Sequence, residues 1–258
     1  MIVRKSNAEI ETIAAAGGIL AGCLESLVDA AGAGVTTASL DELAEGYIRE
    51  RGGIPTFKGY RGFPKSICAS PNDMVVHGIP GPYRLKNGDL LSVDVGVTFD
   101  GLIADSALTM PIGQVSGQAV KLMAATRSSL EAAIEQCRPG GRLGDISHAV
   151  QEVAEGPGFS VVRSLVGHGV GRQMHEDPQI PNFGEAGRGP RLEPGMVFAI
   201  EPMVNVGGHE VYVADDGWSI HTCDGTLSAH FEHTVAISDD GPRVLTRRHG
   251  EEGQTQAV

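Results

Sequence analysis

The chain is 258 residues long, 41% hydrophobic and 20% charged, with a net charge of −12. That is an ordinary globular composition, long enough to bury a sizeable core. The negative balance gives nucleic acid and anionic membrane surfaces no electrostatic hold, so neither is expected as a partner.

Ser6-Asn7-Ala8-Glu9 has the form of a capping box. Behind it Ile10, Ile13, Ala14, Gly17, Ala21, Leu24 and Val28 follow helical spacing, which predicts a helix to about Ala31. Its most apolar part, Ile13 to Leu24, is too short to span a bilayer. Glu9 and Glu11 interrupt what would be the basic start of a signal peptide, so no targeting segment is expected. A second helix starts at Ser39-Leu40-Asp41-Glu42, with Leu40, Leu43, Ala44 and Tyr47 on one face, and stops at Gly52-Gly53. Short strands and loops follow from Pro55 to Pro82, then two longer strands around Asp100-Gly101. After Gly113 the order repeats: a helix over Ala119 to Cys137, a break at Pro139-Gly140-Gly141, and a helix over Asp145 to Ala154. Thr36 to Ala44 and Arg142 to Val150 occupy like positions in the two halves. Strands and glycine-rich loops run on from Phe159. The expected organisation is one domain over 1–248 and a polar, disordered tail over 249–258.

Cys23, Cys68, Cys137 and Cys223 are far apart, with no CxxC. This argues against a disulfide framework and a thiolate metal site, and fits a reducing, cytoplasmic setting.

The stretch Leu90 to Leu108 carries the first chemistry. Two apolar runs flank Asp100-Gly101, a strong hairpin signal because the turn needs residues that tolerate positive φ. With a two-residue loop, Phe99 faces Leu102, Gly96 faces Asp105 and Asp94 faces Ala107. Period-two alternation then puts Asp94, Gly96, Asp105 and Ala107 on one face, with the two small residues leaving space between the carboxylates. Buried unpaired carboxylates are protonated, paired or bound to metal.

Gly167-His168-Gly169-Val170-Gly171-Arg172 fails the dinucleotide pattern, because Arg172 stands at the third glycine position. Its His168 sits between glycines, open to a ligand, and His175 follows seven residues later. There is no HExxH. Met196 to Ile200 reads as a strand buried on both faces and ends in Glu201-Pro202. Glu232 falls inside the apolar segment Phe231 to Ile237, which reads as another strand. Asp94, Asp105, His168, Glu201 and Glu232 thus form a set of four carboxylates and one imidazole. Four carboxylates match the charge of two divalent cations, and oxygen-rich donors suit Mn, Fe or Co, with Zn possible. Paired ions are a known device for hydrolysis.

At these residues the sequence resembles the type I methionine aminopeptidases. The resemblance runs from the first helix to about residue 245. It rests on Asp94 with Asp105, Gly-His168-Gly-x-Gly-Arg, Met174-His175-Glu176-Asp177-Pro178, Ile200-Glu201-Pro202 and Phe231-Glu232-His233-Thr234. Pro64-Lys65-Ser66-Ile67-Cys68 and His77-Gly78-Ile79-Pro80 also match. The resemblance implies an α+β pita-bread fold: a curved antiparallel sheet backed by two helix pairs with internal pseudo-two-fold symmetry. It implies removal of initiator methionine from nascent chains, near the ribosome, when the second residue is small. It makes Asp94, Asp105, His168, Glu201 and Glu232 ligands of two divalent ions, with Asp105 and Glu232 bridging. Glu201 would take the proton from the attacking water, His77 would meet the scissile nitrogen, and His175 the carbonyl oxygen. Tyr60, Phe63, Cys68, Met174 and Trp218 would line the methionine pocket. Met174 stands where the family usually has an aromatic residue, Phe63 where it often has Tyr, and Ile103-Ala104 where it often has His-Gly. An X-Pro dipeptidase or aminopeptidase of the same fold shares the ligand set. A non-enzymatic binding protein of the same fold would be expected to have lost ligands.

Overall fold

The computed structural model describes residues 2–251; the rest of the expected tail, 252–258, lies outside the described residues. The first helix, α1 (Asn7–Ala30), opens with the expected capping box. Ser6 Oγ accepts from the Glu9 amide at 3.3 Å, and Glu9 Oε2 accepts from the Ser6 amide at 2.8 Å. By length and composition α1 could cross a membrane. Here one side of it, with Ile13, Leu20, Leu24 and Leu27, is buried. Helix α2 (Thr37–Glu50) begins two residues earlier than expected, because the cap is Thr36, whose Oγ1 accepts from the Ser39 amide. Its Asp41 is buried and accepts from the Ser66 and Ile67 amides at 2.7 and 3.1 Å, tying the helix to the strand that carries Cys68.

Strands β1 (Ile54–Pro55), β2 (Ile67–Pro71) and β3 (Met74–Val76) follow, then the long pair β4 (Leu90–Phe99) and β5 (Leu102–Pro111). Helices α3 (Gly117–Glu135) and α4 (Leu143–Glu155) open the second half. Helix α4 also starts early, since Asp145 sits one turn inside it and reaches back to the Arg142 amide at 2.8 Å. The second half continues with β6 (Ser160–Val161), β7 (Val166–Gly169), β8 (Glu176–Pro181), β9 (Val197–Ile200) and β10 (Met203–Asn205). It closes with β11 (Val211–Val213), β12 (Ile220–Thr222), β13 (Ser228–His230), β14 (His233–Ser238) and β15 (Gly241–Val244).

Every strand pairing among these is antiparallel. One sheet is built on β4, paired with β1, β2 and β5; another runs β15-β14-β9-β7-β8. Helix α1 packs on β4 and β5, and α2 on β1 and β2. Helix α3 packs on β9, β10, β13 and β15, and α4 on β6 and β8. One helix pair therefore backs each half.

The pseudo-symmetry has a local marker. Each second helix is preceded by an isolated antiparallel bridge, Thr36 with Arg84 and Arg142 with Arg191. Those arginines open the parallel runs Arg84-Leu85-Lys86-Asn87-Gly88 and Arg191-Leu192-Glu193-Pro194-Gly195. Both leucines are buried, and both terminal glycines have positive φ. Ten residues beyond each arginine stand Asp94 and Glu201. The two halves thus deliver one carboxylate each from the same position of the repeat.

Candidate metal centre and substrate cleft

The β4–β5 hairpin has the expected register: Phe99 opposite Leu102, Gly96 opposite Asp105, Asp94 opposite Ala107. Asp100 and Gly101 turn it, both with positive φ, as a two-residue hairpin loop requires. On the other side of β4, Cys68 of β2 pairs with Asp94, which brings the thiol beside the carboxylates. The space opposite Asp105 is not empty. A Cβ at Gly96 would come within 2.7 Å of Phe57 Cε1, so the glycine admits an aromatic ring that also lines the cleft.

The second half is clipped onto this hairpin by hydrogen bonds between β5 and the segment around Glu232. Thr234 Oγ1 accepts from the Asp105 amide at 2.9 Å and donates to the Asp105 carbonyl at 2.7 Å. Ser106 Oγ donates to the Glu232 carbonyl, and the Glu232 amide donates to the Ala107 carbonyl at 2.9 Å. Glu232 is therefore not inside a strand, as its apolar surroundings suggested. It lies between β13 and β14, where the chain leaves one ladder for the next and its amide is taken by β5.

The glycine-flanked His168 also differs from a loop reading, for it lies within β7. The glycines are there because neighbouring backbones press close. A Cβ at Gly167 would stand 2.5 Å from the Ala199 carbonyl oxygen, and one at Gly169 2.3 Å from that of Asp177. His168 Nδ1 lies 2.9 Å from the Gly169 carbonyl, so that nitrogen carries the proton and Nε2 turns a lone pair to the carboxylates. Nε2 is 3.5 Å from Glu201 Oε1 and 3.8 Å from Asp105 Oδ2.

Donor atoms of Asp105, His168 and Glu232 lie within 4.8 Å of one another, all in buried side chains. Asp94 Oδ1, Asp105 Oδ1 and Glu232 Oε1 are buried with no hydrogen-bond partner. Burial raises the Asp94 carboxyl to about 7. Burial, and then the charges of Glu232 and Asp94, raise Asp105 well above the usual range. Glu201 and Glu232 are raised likewise by burial first, then by neighbouring carboxylates. Burial pushes the His168 imidazole down to about 3, with His175 adding to it. Orphaned, mutually repelling carboxylate oxygens around a neutral imidazole are a donor set completed by cations. The residues present fit divalent metal.

The cleft over this cluster is lined by the five acid and imidazole donors together with Tyr60, Phe63, Cys68, His77, Met174, His175 and Trp218. The structure thus brings together every candidate residue read from the sequence. Phe63 and Trp218 pack edge to face at 5.1 Å, and Met174 is buried beside them in the lining. His77 takes a φ of 60°, a left-handed conformation that costs energy in a residue with a Cβ. Burial lowers its pKa to about 4. The His175 ring lies against His168 at 4.3 Å between centroids, the planes tilted by 42°, and burial, then Arg61, lowers its pKa. Phe57 and Arg61 also line the cleft but escaped sequence reading, as did His230, whose Nε2 is 3.9 Å from Glu201 Oε2. Arg61 had one signal, its place between Gly59 and Gly62 in a tight turn; the other two had none.

A family model described as metallopeptidase family M24 matches residues 11–239. A methionine aminopeptidase of Clostridium perfringens is 50% identical over 246 residues, covering 95% of this chain and 99% of that protein. The crystal structure of a methionine aminopeptidase from Thermotoga maritima superposes with a TM-score of 0.95 at 44% identity, covering 96% of this chain and 100% of that one. A prolidase from Pyrococcus furiosus shares the fold at a TM-score of 0.74 and 21% identity; 95% of this chain matches 65% of that one.

Proposed function

Because this chain belongs to metallopeptidase family M24, we propose that it is a methionine aminopeptidase, removing N-terminal methionine when the next residue is small. The fold is the pita-bread architecture. The family uses divalent metal. Our reading is two ions, Mn, Fe or Co, with Zn possible, held by Asp94, Asp105, His168, Glu201 and Glu232. The single observation that carries it is the convergence of those donors, orphaned oxygens included, at the floor of an aromatic cleft.

Bound there, such ions supply Lewis acidity and make water nucleophilic near neutral pH. The chain's own groups do the rest. Phe63, Met174, Trp218 and Cys68 take the methionine side chain, whose polarizable thioether suits sulfur and aromatic contacts. Glu201 accepts the proton of the attacking water at a carboxylate oxygen. His175 donates Nε2–H to the carbonyl oxygen as it gains charge, and His77 meets the departing amide nitrogen. Low pKa values keep both rings neutral before reaction, so each enters with one proton to place. Nascent chains in the cytoplasm, near the ribosome, are the natural substrates on this reading; the free thiols of Cys23, Cys68, Cys137 and Cys223 support a reducing setting.

The test is a tripeptide series compared by kcat/KM with Mn, Fe or Co supplied: Met-Ala-Ser, Met-Gly-Ser, Met-Leu-Ser, Leu-Ala-Ser and Ala-Pro-Ser. Met-Ala-Ser and Met-Gly-Ser are expected to lead. Ala-Pro-Ser as the best substrate would turn the assignment to a proline peptidase. No cleavage at all would turn it to a binding protein.

A further inference from the structure

One buried imidazole in the second half has no place in the mechanism above. His230 ends β13, opposite Met203 of β10. Its backbone is held without help from its ring: the His230 amide donates to Thr109 Oγ1 at 2.8 Å, and Thr109 Oγ1 donates to the His230 carbonyl at 2.9 Å. The residue is 1% exposed, yet neither ring nitrogen has a hydrogen-bond partner. An unpaired buried polar group lowers stability, and an apolar side chain of similar size at this position would not carry that cost. An imidazole here needs a reason that packing does not supply.

The polar atom facing it is Glu201 Oε2, 3.9 Å from Nε2. The other oxygen of the same carboxylate, Oε1, faces His168 Nε2 at 3.5 Å. Glu201 thus lies between two imidazoles, one oxygen toward each. An imidazole carries at least one ring N–H, so the ring of His230 has a donor to offer that carboxylate. From 3.9 Å a small ring rotation brings the pair to hydrogen-bond distance.

We propose that His230 is a positioning residue for Glu201: its Nε2–H holds Oε2 and thereby fixes Oε1 toward His168 and the carboxylate cluster. Without that hold the carboxylate turns freely about its last torsion. It then offers neither a fixed donor to metal nor a fixed base to water. The inference rests on the reading of Glu201 as ligand and base.

The test compares His230→Leu, which removes the donor, with His230→Gln, which keeps an N–H. Three quantities are measured for each and for wild type: the melting temperature of metal-free protein, the affinity for Mn²⁺ by calorimetry, and kcat and KM on Met-Ala-Ser. His230→Leu is expected to melt at or above the wild-type temperature when metal-free. Its Mn²⁺ affinity and kcat are expected to fall about ten- to hundredfold, as for loss of other partners that orient metal ligands, with KM nearly unchanged. His230→Gln is expected to restore most of both losses. A leucine variant with wild-type Mn²⁺ affinity and kcat would overturn the proposal and leave His230 as core filling. So would a glutamine variant no better than leucine. Should the leucine variant fail to fold, His230→Met serves as the apolar arm and is read by the same outcomes. If wild type cleaves no tripeptide, the Mn²⁺ affinities alone decide this proposal, separately from the peptidase assignment.

Discussion

The Tyr60 hydroxyl oxygen stands 2.8 Å from His175 Nδ1, with the two rings stacked at 5.5 Å between centroids. A neutral imidazole accepts at one nitrogen and donates at the other. With Tyr60 donating to Nδ1, the proton of His175 sits on Nε2, where a carbonyl oxygen gaining charge can use it. Tyr60 therefore sets a tautomer as well as lining the pocket. His175→Ala should cost about 2.7–4 kcal/mol, read mainly in kcat, the scale of losing one oxyanion donor. Tyr60→Phe keeps the ring and loses the hydrogen bond, so kcat should fall by about 0.5–1.5 kcal/mol with KM held. Steady-state kinetics on Met-Ala-Ser decides. A sharp rise in KM with kcat unchanged in either variant would remove the assigned role.

The acid cluster makes the metal-free protein sensitive to pH in a definite direction. Asp94 is raised to about 7 and Asp105, Glu201 and Glu232 well above their usual range, with burial the first cause in each. A carboxyl with a raised folded pKa holds its proton longer when folded than when unfolded. Its contribution to stability is fully present below the unfolded carboxyl value of about 4 and is lost as pH rises from there through the folded pKa. His77, His168 and His230, lowered to about 4, 3 and 3, act in the opposite sense, but only below the unfolded histidine value of about 6.5. From the unfolded histidine value of about 6.5 up to about pH 8, one unit above the raised Asp94 value, the carboxyls dominate. Chelator-treated protein should lose melting temperature across that window. Divalent metal should reverse the trend, because binding displaces protons and strengthens as they leave. A metal-free melting temperature that climbs across the window would contradict the cluster's burial.

A buried ion pair braces the loop that carries His175. Lys5 Nζ lies 2.6 Å from Glu176 Oε2, with side chains only 1% and 5% exposed. Glu176 Oε1 also accepts from the Arg172 and Gln173 amides at 2.7 and 3.0 Å, closing the turn ahead of His175. Glu176→Gln would leave the lysine charge buried and unpaired. Breaking such a pair costs about 3–5 kcal/mol. In a chain of this size that lowers the melting temperature by roughly 6–20 °C. A fall of a degree or less would mean that the pair is solvated and braces nothing.

How much of this was legible in the sequence differs from residue to residue. The Asp94/Asp105 hairpin was readable in full because Asp100-Gly101 fixes a two-residue turn and alternation then fixes the faces. The helix starts slid by two residues because Thr36 caps by side chain and Asp145 caps from inside the helix, which periodicity cannot see. Gly167 and Gly169 looked like a loop, but their glycines serve close backbone approach within a strand. Glu232 looked like a strand residue, but its amide bonds to β5 across the sheet junction. Phe57 reaches the site through its contact with Gly96, and His230 through its approach to Glu201, each across strands distant in sequence, and no local pattern announces either.

Met174 offers a test of the side-chain pocket. It is buried in the cleft lining with Phe63 and Trp218. A flexible thioether yields more readily than a ring, so norleucine at the substrate N-terminus should be tolerated. Leu-Ala-Ser should be cleaved about 10–200-fold less efficiently than Met-Ala-Ser, the range for one misplaced methylene. Met174→Phe should widen the gap between methionine and norleucine, read as kcat/KM on the two tripeptides. An unchanged ratio would mean that Met174 does not touch the substrate.

On the proposed reading the buried acid cluster holds the catalytic ions, and Asp105 is tied to the second half through both its amide and its carbonyl. The most direct measurement is Mn²⁺ binding by calorimetry together with kcat on Met-Ala-Ser, for wild type and Asp105→Asn. Wild type should bind two ions. Asp105→Asn, isosteric and one charge short, should stay folded, bind fewer ions or bind them more weakly, and lose kcat by orders of magnitude. An Asp105→Asn protein with near-normal kcat at micromolar metal would contradict the account.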